Sequence, residues 1–199
     1  MDNEKGNALF LVLIAVVLFA ALSYAVTQSG RSNGDASKEQ RVLTASKMVD
    51  YTATLQQTVM RMTLMGVTPA SLDFTHNGTQ SGESAVFATD GGNMYYESTP
   101  DEIWSSTTSG WEFKTTVSVI DVGSPANDVF LSTGNGFANA CIKKNVCEQI
   151  NTGLGLSISP IGNQSAIFGD LDAYPGEHMA CHNVINSGCN YYYHVLVAQ

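Results

Sequence analysis

Residues 8–26 read ALFLVLIAVVLFAALSYAV, and no charged residue lies between Lys5 and Arg31. At 1.5 Å per residue, a helix over this run is about 28 Å long, close to the thickness of the hydrocarbon core of a bilayer. The segment can therefore span a membrane. It predicts that the chain begins with one long apolar helix and carries the rest of its residues outside the cytoplasm.

Three interpretations of this segment stay open from the residues alone. The first is an uncleaved membrane anchor. The second is a secretory signal peptide removed after Ala25, because Ser23-Tyr24-Ala25 places small residues where a signal peptidase cleaves. The apolar run is long for a signal peptide, and one Lys with two acidic residues precedes it. The third interpretation depends on how that preceding leader ends.

A short charged leader ending in Gly6 precedes the apolar run. With an amphipathic continuation behind the run, this layout resembles the N-terminus of type IV pilins and pseudopilins. The resemblance implies that a prepilin peptidase removes residues 1–6 and that Asn7 opens the mature chain. It also implies a helix that anchors in the inner membrane and then packs against other pilin or pseudopilin subunits. The implied assembly residues are Ala8, Leu9, Phe10, Leu11, Val12, Leu13, Ile14, Val16, Val17, Leu18, Phe19 and Leu22.

Leu11 departs from the family pattern. Pilins usually carry a Glu at the fifth mature position, where its carboxylate neutralises the N-terminal ammonium of a neighbouring subunit inside the apolar filament core. The fifth residue counted from Asn7 is Leu11. Some minor pseudopilins, including tip subunits, also lack that Glu, so the resemblance implies a minor rather than a major subunit.

The four cysteines all lie in the last third of the chain, at Cys141, Cys147, Cys181 and Cys189. In an oxidising compartment an even number predicts two disulfides, and three pairings are possible. The simplest pairing is local, 141 with 147 and 181 with 189 across a hairpin that turns at Asn186-Ser187-Gly188. The spacing alone does not choose among the three.

Both ends of the chain also resemble an uncharacterised group of bacterial exported proteins. The shared features are the apolar segment ending in Ser29-Gly30-Arg31, a Cys-x-x-Ile-Asn motif at residues 147–151, and the aromatic run Tyr191-Tyr192-Tyr193-His194-Val195-Leu196-Val197. This resemblance implies a disulfide between Cys147 and Cys181, which leaves Cys141 for Cys189. We favour this second arrangement.

Composition agrees with an exported chain of one domain. The chain has 199 residues, and about 165 follow the anchor, which is enough for one hydrophobic core. Its net charge is −9; removing the leader leaves 8 basic and 16 acidic residues, or −8. We do not expect the chain to bind nucleic acid, because binding to the phosphate backbone requires clustered Lys and Arg.

The polar segment after the apolar run carries two glycines and predicts an interruption of the helix. We expect a transmembrane and assembly helix at 7–30, a linker at 31–36 and one extracytoplasmic α+β domain at 37–199. Ser37 and Gln40 have capping-box spacing at the start of an amphipathic helix over 37–66. Gly66 and Pro69 end that helix, and its apolar stripe consists of Ala45, Met48, Val49, Thr52, Leu55, Val59 and Met62.

Short alternating runs separated by turn residues follow this helix. They predict strands at 84–89, 93–97, 111–120 and 128–132, with Asp90-Gly91-Gly92 as a hairpin turn between the first two. A short helix is expected at 139–154, and a last strand, buried on both faces, at 191–198. The predicted fold is α+β: a long N-terminal helix, transmembrane and then amphipathic, packed on an antiparallel sheet. A disulfide-stapled C-terminal region completes this pilin-like outline.

Two groups of residues have the chemistry of metal ligands. His178, Cys181, His182 and Cys189 would suit zinc, but oxidised cysteines cannot bind it, and surface histidines beside a disulfide are the expectation. Asp170, Asp172 and Glu177 place three carboxylates in a glycine-bearing loop, which is a weak match to a calcium site and more often a solvated loop. We expect no metal and no cofactor.

Other candidates are expected to be structural. Residues 30–34 fit G-x-S-x-G, but a nucleophile elbow needs a strand before it, and here it joins two predicted helices. Met48, Met60, Met62 and Met65, the two tryptophans and the tyrosine run are expected in core packing, and His194 is expected as a hydrogen-bonded core histidine. We therefore do not expect an enzyme.

The sequence predicts a structural subunit of a type IV pilus-like filament or secretion pseudopilus. It would be a single-pass inner-membrane protein with a periplasmic domain, and extracellular once assembled. The alternative is a periplasmic or secreted binding domain whose N-terminal signal anchor is cleaved or retained, with no filament role.

Overall fold

The computed structural model describes residues 4–29, 33–105, 109–119, 122–124, 127–133, 141–156, 170–171, 176–184 and 189–199. The chain divides into two compact units, Met1–Gln40 and Arg41–Gln199. Two long helices come first, α1 over Glu4–Ser29 and α2 over Asn33–Leu64. The fold is α+β, as predicted: an N-terminal apolar helix, an antiparallel sheet and two disulfides.

The predicted linker at 31–36 is wrong for its last four residues, which form the first turn of α2. Residues 31 and 32 lie outside the described residues. The first four amides of a helix have no partner within the helix, so Gly34 weakens few hydrogen bonds there. Ser37, predicted as the cap, is an internal residue of α2.

The amphipathic stripe of α2 is confirmed. Its predicted members are buried at 0–4% exposure, apart from the half-buried Val49; they are Ala45, Met48, Thr52, Leu55, Val59 and Met62. Met60 and Met65 are exposed, so their predicted place in the core is wrong: they lie off the buried face. The helix ends at Leu64, and Gly66 adopts a positive φ of 103°, which favours glycine.

Five strands form one sheet in the order β3-β1-β2-β5-β4. Their bounds are β1 Trp111–Val119, β2 Asp128–Thr133, β3 Asp170–Leu171, β4 Met179–Val184 and β5 Cys189–Val197. The pairs β1–β2, β2–β5 and β4–β5 are antiparallel, and the two-residue β3 adds a parallel edge beside β1. The predicted strands at 111–120, 128–132 and 191–198 are confirmed to within two residues of these bounds, apart from residue 120, which lies outside the described residues.

The predicted hairpin of 84–89 with 93–97 is wrong. Ala85 forms an isolated parallel bridge with Asp73, and the surrounding residues are turns. Gly91 and Gly92 lie so close to the carbonyls of Ala85 and Val86 that any Cβ there would clash. This close approach folds the segment into consecutive turns instead of two extended strands.

The predicted helix at 139–154 begins later than expected, as α3 over Lys144–Gly153. Residues 139 and 140 lie outside the described residues. Ile142 is extended and bridges both Trp104 and Asn190, while Cys141 is bonded to Cys189. These sheet-like contacts hold the segment in an extended conformation until Lys144.

Strands β2 and β5 are buried on both faces of the sheet. Tyr192 and Leu196 of β5 join the main core with the α2 stripe, whereas Tyr193 and Val195 pack with Phe130 in a second cluster. A buried hydrogen bond of 2.7 Å joins the Thr52 and Tyr192 hydroxyls. The prediction that the last strand is buried on both sides is confirmed.

Candidate functional site

The apolar segment of α1 is long and apolar enough to cross a membrane. Phe10–Thr27 has a mean hydropathy of 2.6, and none of this window is buried. The large apolar side chains from Phe10 to Val26 are exposed by 40% at Ile14 to 76% at Phe19. Segments with these properties serve as membrane anchors or as signals. The N-terminal helix therefore could be either one.

The residues predicted as a processing site lie at the start of this helix. Gly6 and Asn7 are in the first turns of α1, together with Ala8 and Leu9. Leu11, the predicted fifth residue of the mature chain, is 60% exposed and offers no charge. The other predicted assembly residues from Phe10 to Leu22 are apolar, and their large side chains are exposed.

Two disulfides join the C-terminal elements. Cys141 is bonded to Cys189 across 48 residues, and Cys147 is bonded to Cys181 across 34. These are the pairs that the second resemblance implied; the local pairing is not present. Because disulfides persist in oxidising compartments, both bonds fit a periplasmic or extracellular domain.

The Cys-x-x-Ile-Asn motif lies on the inner face of α3, with Cys147, Ile150 and Asn151 buried. Cys147 is bonded to Cys181 of β4. On the same helix face, Asn151 donates to the Cys181 carbonyl at 2.7 Å and accepts from the Cys181 amide at 2.8 Å. Because β4 is an edge strand, the Asn151 side chain supplies hydrogen bonds that a further strand would otherwise make. The motif fastens α3 to the sheet.

The zinc alternative has no thiols available, because Cys181 and Cys189 are both in disulfides. His178 is exposed just before β4, whereas His182 is buried within β4, so only one of the two is a surface histidine. Among the described residues, no group of three His, Cys, Asp or Glu side chains could hold a metal ion. Asp170 lies in β3 and Glu177 is exposed, while Asp172 lies outside the described residues.

His194 is buried, but the expectation that its nitrogens are hydrogen-bonded is wrong. Neither ring nitrogen has a partner among the described residues, and Nδ1 of the buried His182 also lacks one. Burial lowers the pKa of His194 to about 4, and the charge of His178 adds to this effect. Burial alone lowers the pKa of His182 to about 4. Both side chains are therefore neutral at pH 7.

The remaining candidates are structural. Residues 30–32 of the G-x-S-x-G pattern lie outside the described residues, and α1 and α2 flank them, so no strand precedes the serine. Trp104 and Trp111 are buried at 4% and 7% exposure, and Tyr191, Tyr192 and Tyr193 are also buried. These aromatic residues contribute to core packing, as predicted.

Sequence reasoning missed a second feature, an open pocket in the loop between α2 and β1. Its lining includes His76, Phe87, Tyr95 and Tyr96. The available signal was the aromatic pair Tyr95-Tyr96, which follows Gly92 after two residues and which the hairpin prediction assigned to a strand.

Comparison with known proteins identified no relative. No protein-family model matches the chain, and no curated protein and no solved structure matches it.

Proposed function

We propose that this chain is a pilin-like structural subunit, a minor component of a type IV pilus-like filament or secretion pseudopilus. The observation that carries the proposal is an exposed, charge-free helical segment in the same chain as a disulfide-bonded α+β domain. In this proposal the apolar segment anchors the subunit in the inner membrane and afterwards packs against the same segment of neighbouring subunits.

The exposure of α1 supports assembly through this helix. Lipid tails are as apolar as Leu or Phe, so helices in a membrane associate through packing and not through the hydrophobic effect. The segment Phe10–Thr27 has no Asp, Glu, Lys or Arg that would need a partner on leaving the lipid. Exchange of lipid contacts for helix contacts therefore requires no charge neutralisation within the segment.

Leu11 supports a minor role. Without a carboxylate at this position, the subunit cannot neutralise the N-terminal ammonium of a neighbour, and that charge would be costly within an apolar filament core. The subunit therefore fits best at a position where no neighbouring subunit needs a carboxylate from it to neutralise an N-terminal ammonium. The tip of an assembly is such a position.

Cysteine cross-linking in the native membrane tests the proposal. All four native cysteines are in disulfides, so a cysteine introduced into α1 is the free thiol of the chain. We would replace residues 10–22 one at a time in the full chain and oxidise the membranes. Packed helices predict cross-linked species at every third or fourth position, with partners identified by mass spectrometry as this chain or another pilin-like subunit.

Thr152→Cys, on the exposed surface of α3, is the matched control and should give no cross-link. Absence of cross-links throughout residues 10–22, or equal cross-linking at Thr152, would contradict assembly through the helix. Recovery of the domain as a soluble protein starting at Val26 would favour the alternative, a released binding domain.

A further inference from the structure

An open pocket of about 460 Å³ lies in the loop between α2 and β1. We call it the aromatic pocket; the lining residues used below are Thr75, His76, Gln80, Phe87, Tyr95 and Tyr96. Its volume lies within the range of about 300–1,000 Å³ that is typical of small-ligand sites. All residues that line the pocket belong to the unit Arg41–Gln199.

Local hydrogen bonds fix the walls of the aromatic pocket. Asp73 accepts from both the amide and the hydroxyl of Thr75, which sets the turn that leads into His76. Shortly before Tyr95 in the chain, the Gly92 carbonyl accepts a hydrogen bond from Arg61 of α2. Asn93 follows with a positive φ of 51° and directs the chain into Tyr95 and Tyr96. The pocket is thus formed before any ligand arrives.

Stacked rings form one side of the pocket. The His76 ring lies parallel to the Tyr96 ring at a centroid distance of 3.6 Å, and Phe87 meets Tyr96 edge-on at 5.3 Å. Tyr95 is 86% exposed. Among the large apolar and aromatic side chains in the described part of this unit, only Leu64 is more exposed, at 88%. An exposed tyrosine at the mouth of a pocket offers an apolar face and a hydroxyl to a ligand.

The polar side chains of the pocket are hydroxyl and amide groups and one histidine. Its lining contains no Asp, Glu, Lys or Arg. The side-chain amide comes from Gln80, and the hydroxyl groups come from Thr75, Thr89, Tyr95 and Tyr96. The Gln80 Oε1 atom is buried without a hydrogen-bond partner among the described residues. Buried acceptors are normally paired, so a ligand that supplies a donor here would satisfy this atom.

We propose that the aromatic pocket binds a neutral saccharide unit. Such a ligand combines an apolar ring face, which would stack on Tyr95, with hydroxyl groups, one of which would donate to Gln80 Oε1. A charged ligand would find no Asp, Glu, Lys or Arg in the lining. A proline-rich peptide also stacks on aromatic rings, but proline has no N–H to satisfy the Gln80 acceptor. The site requires no filament role and stands independently of it.

Saturation-transfer NMR on the full chain tests this proposal. The protein would be held in a detergent without a sugar headgroup, and the probes would be glucose, galactose, mannose, N-acetylglucosamine and their β-1,4-linked disaccharides. We expect saturation of at least one probe at concentrations up to about 50 mM, well above a millimolar Kd. Tyr95→Ala should weaken binding about tenfold, because stacking is lost.

Tyr95→Phe is the matched control, since it keeps the ring and should bind within about threefold of the wild type. Gln80→Leu, which removes the acceptor, should also weaken binding, while the near-UV spectrum of each variant reports intact folding. Binding that is equal in the wild type, Tyr95→Ala and Gln80→Leu would overturn the proposal. So would absence of binding by every saccharide, or competition for the pocket by a polyproline peptide alone.

Discussion

Acidification should destabilise the domain through its two buried histidines. His182 lies in β4 and His194 in the neighbouring strand β5. Three of their four ring nitrogens have no hydrogen-bond partner among the described residues. Burial lowers the pKa of each from 6.5 to about 4. In the unfolded chain the same side chains regain a pKa of about 6.5.

The sign of the effect follows from proton binding. Between pH 6.5 and pH 4 the unfolded chain binds more protons than the folded one, so the free energy of unfolding falls as the pH falls. Stability is fully present above pH 6.5, and the loss is complete near pH 4. The pKa difference corresponds to about 3 kcal/mol for each histidine, of which about 2 kcal/mol is lost by pH 5. Both histidines together then remove about 4 kcal/mol, a large part of the 5–15 kcal/mol typical of a domain.

Urea unfolding of the full chain in detergent at pH 7 and pH 5 measures this loss. Trp104 and Trp111 are both buried, so their fluorescence reports unfolding of the domain. His194→Leu replaces the two unpartnered nitrogens with apolar atoms of similar volume. This variant should be at least as stable as the wild type at pH 7 and should lose only about half as much stability at pH 5.

The exposed His178 is the control, because His178→Gln removes a histidine from the surface while both buried rings stay. This variant should retain most of the pH dependence. A wild-type free energy of unfolding that is equal at pH 7 and pH 5 would refute the reasoning. If His194→Leu lost as much free energy of unfolding between pH 7 and pH 5 as the wild type does, the contribution assigned to His194 would be refuted.

Three further outcomes can be measured on the same protein. Asn151→Ala should lower the free energy of unfolding by about 2–3 kcal/mol in urea, because the buried amide and carbonyl of Cys181 lose their partners; an unchanged value would contradict the edge-strand role. Under mild reductant, thiol alkylation should detect the Cys141–Cys189 bond before the other, since Cys141 is partly exposed and the other pair is fully buried; the reverse order would be contrary to that expectation. Val17→Arg should cost about 3 kcal/mol of insertion and lower the fraction recovered with membranes, whereas Val17→Leu should not.

Local periodicity was sufficient to predict α2, β1, β2 and β5. The α2 stripe could be predicted because one helix face packs against a core over more than four turns. The segment 84–97 was mispredicted because alternating residues there serve a turn-rich loop, with Gly91 and Gly92 folded back onto Ala85 and Val86. A pattern of period two does not distinguish a strand from such a loop.

The site-level features depended on contacts distant in sequence. The spacing of the cysteines left three pairings open, and the pairs present followed only from a resemblance. The role of Asn151 depends on β4 being an edge strand, which is a property of the sheet order. The aromatic pocket likewise requires residues 75–80 and 87–96 to meet across a loop, so no single window of sequence predicts it.

The mature N-terminus tests the central claim most directly. Intact-mass measurement and N-terminal sequencing of the chain purified from its native membranes would identify the first residue. The pilin-like account predicts cleavage after Gly6 and a chain that begins at Asn7. A chain that begins at Val26 would contradict the account by removing the assembly helix, and one that retains Met1 would contradict processing by a prepilin peptidase.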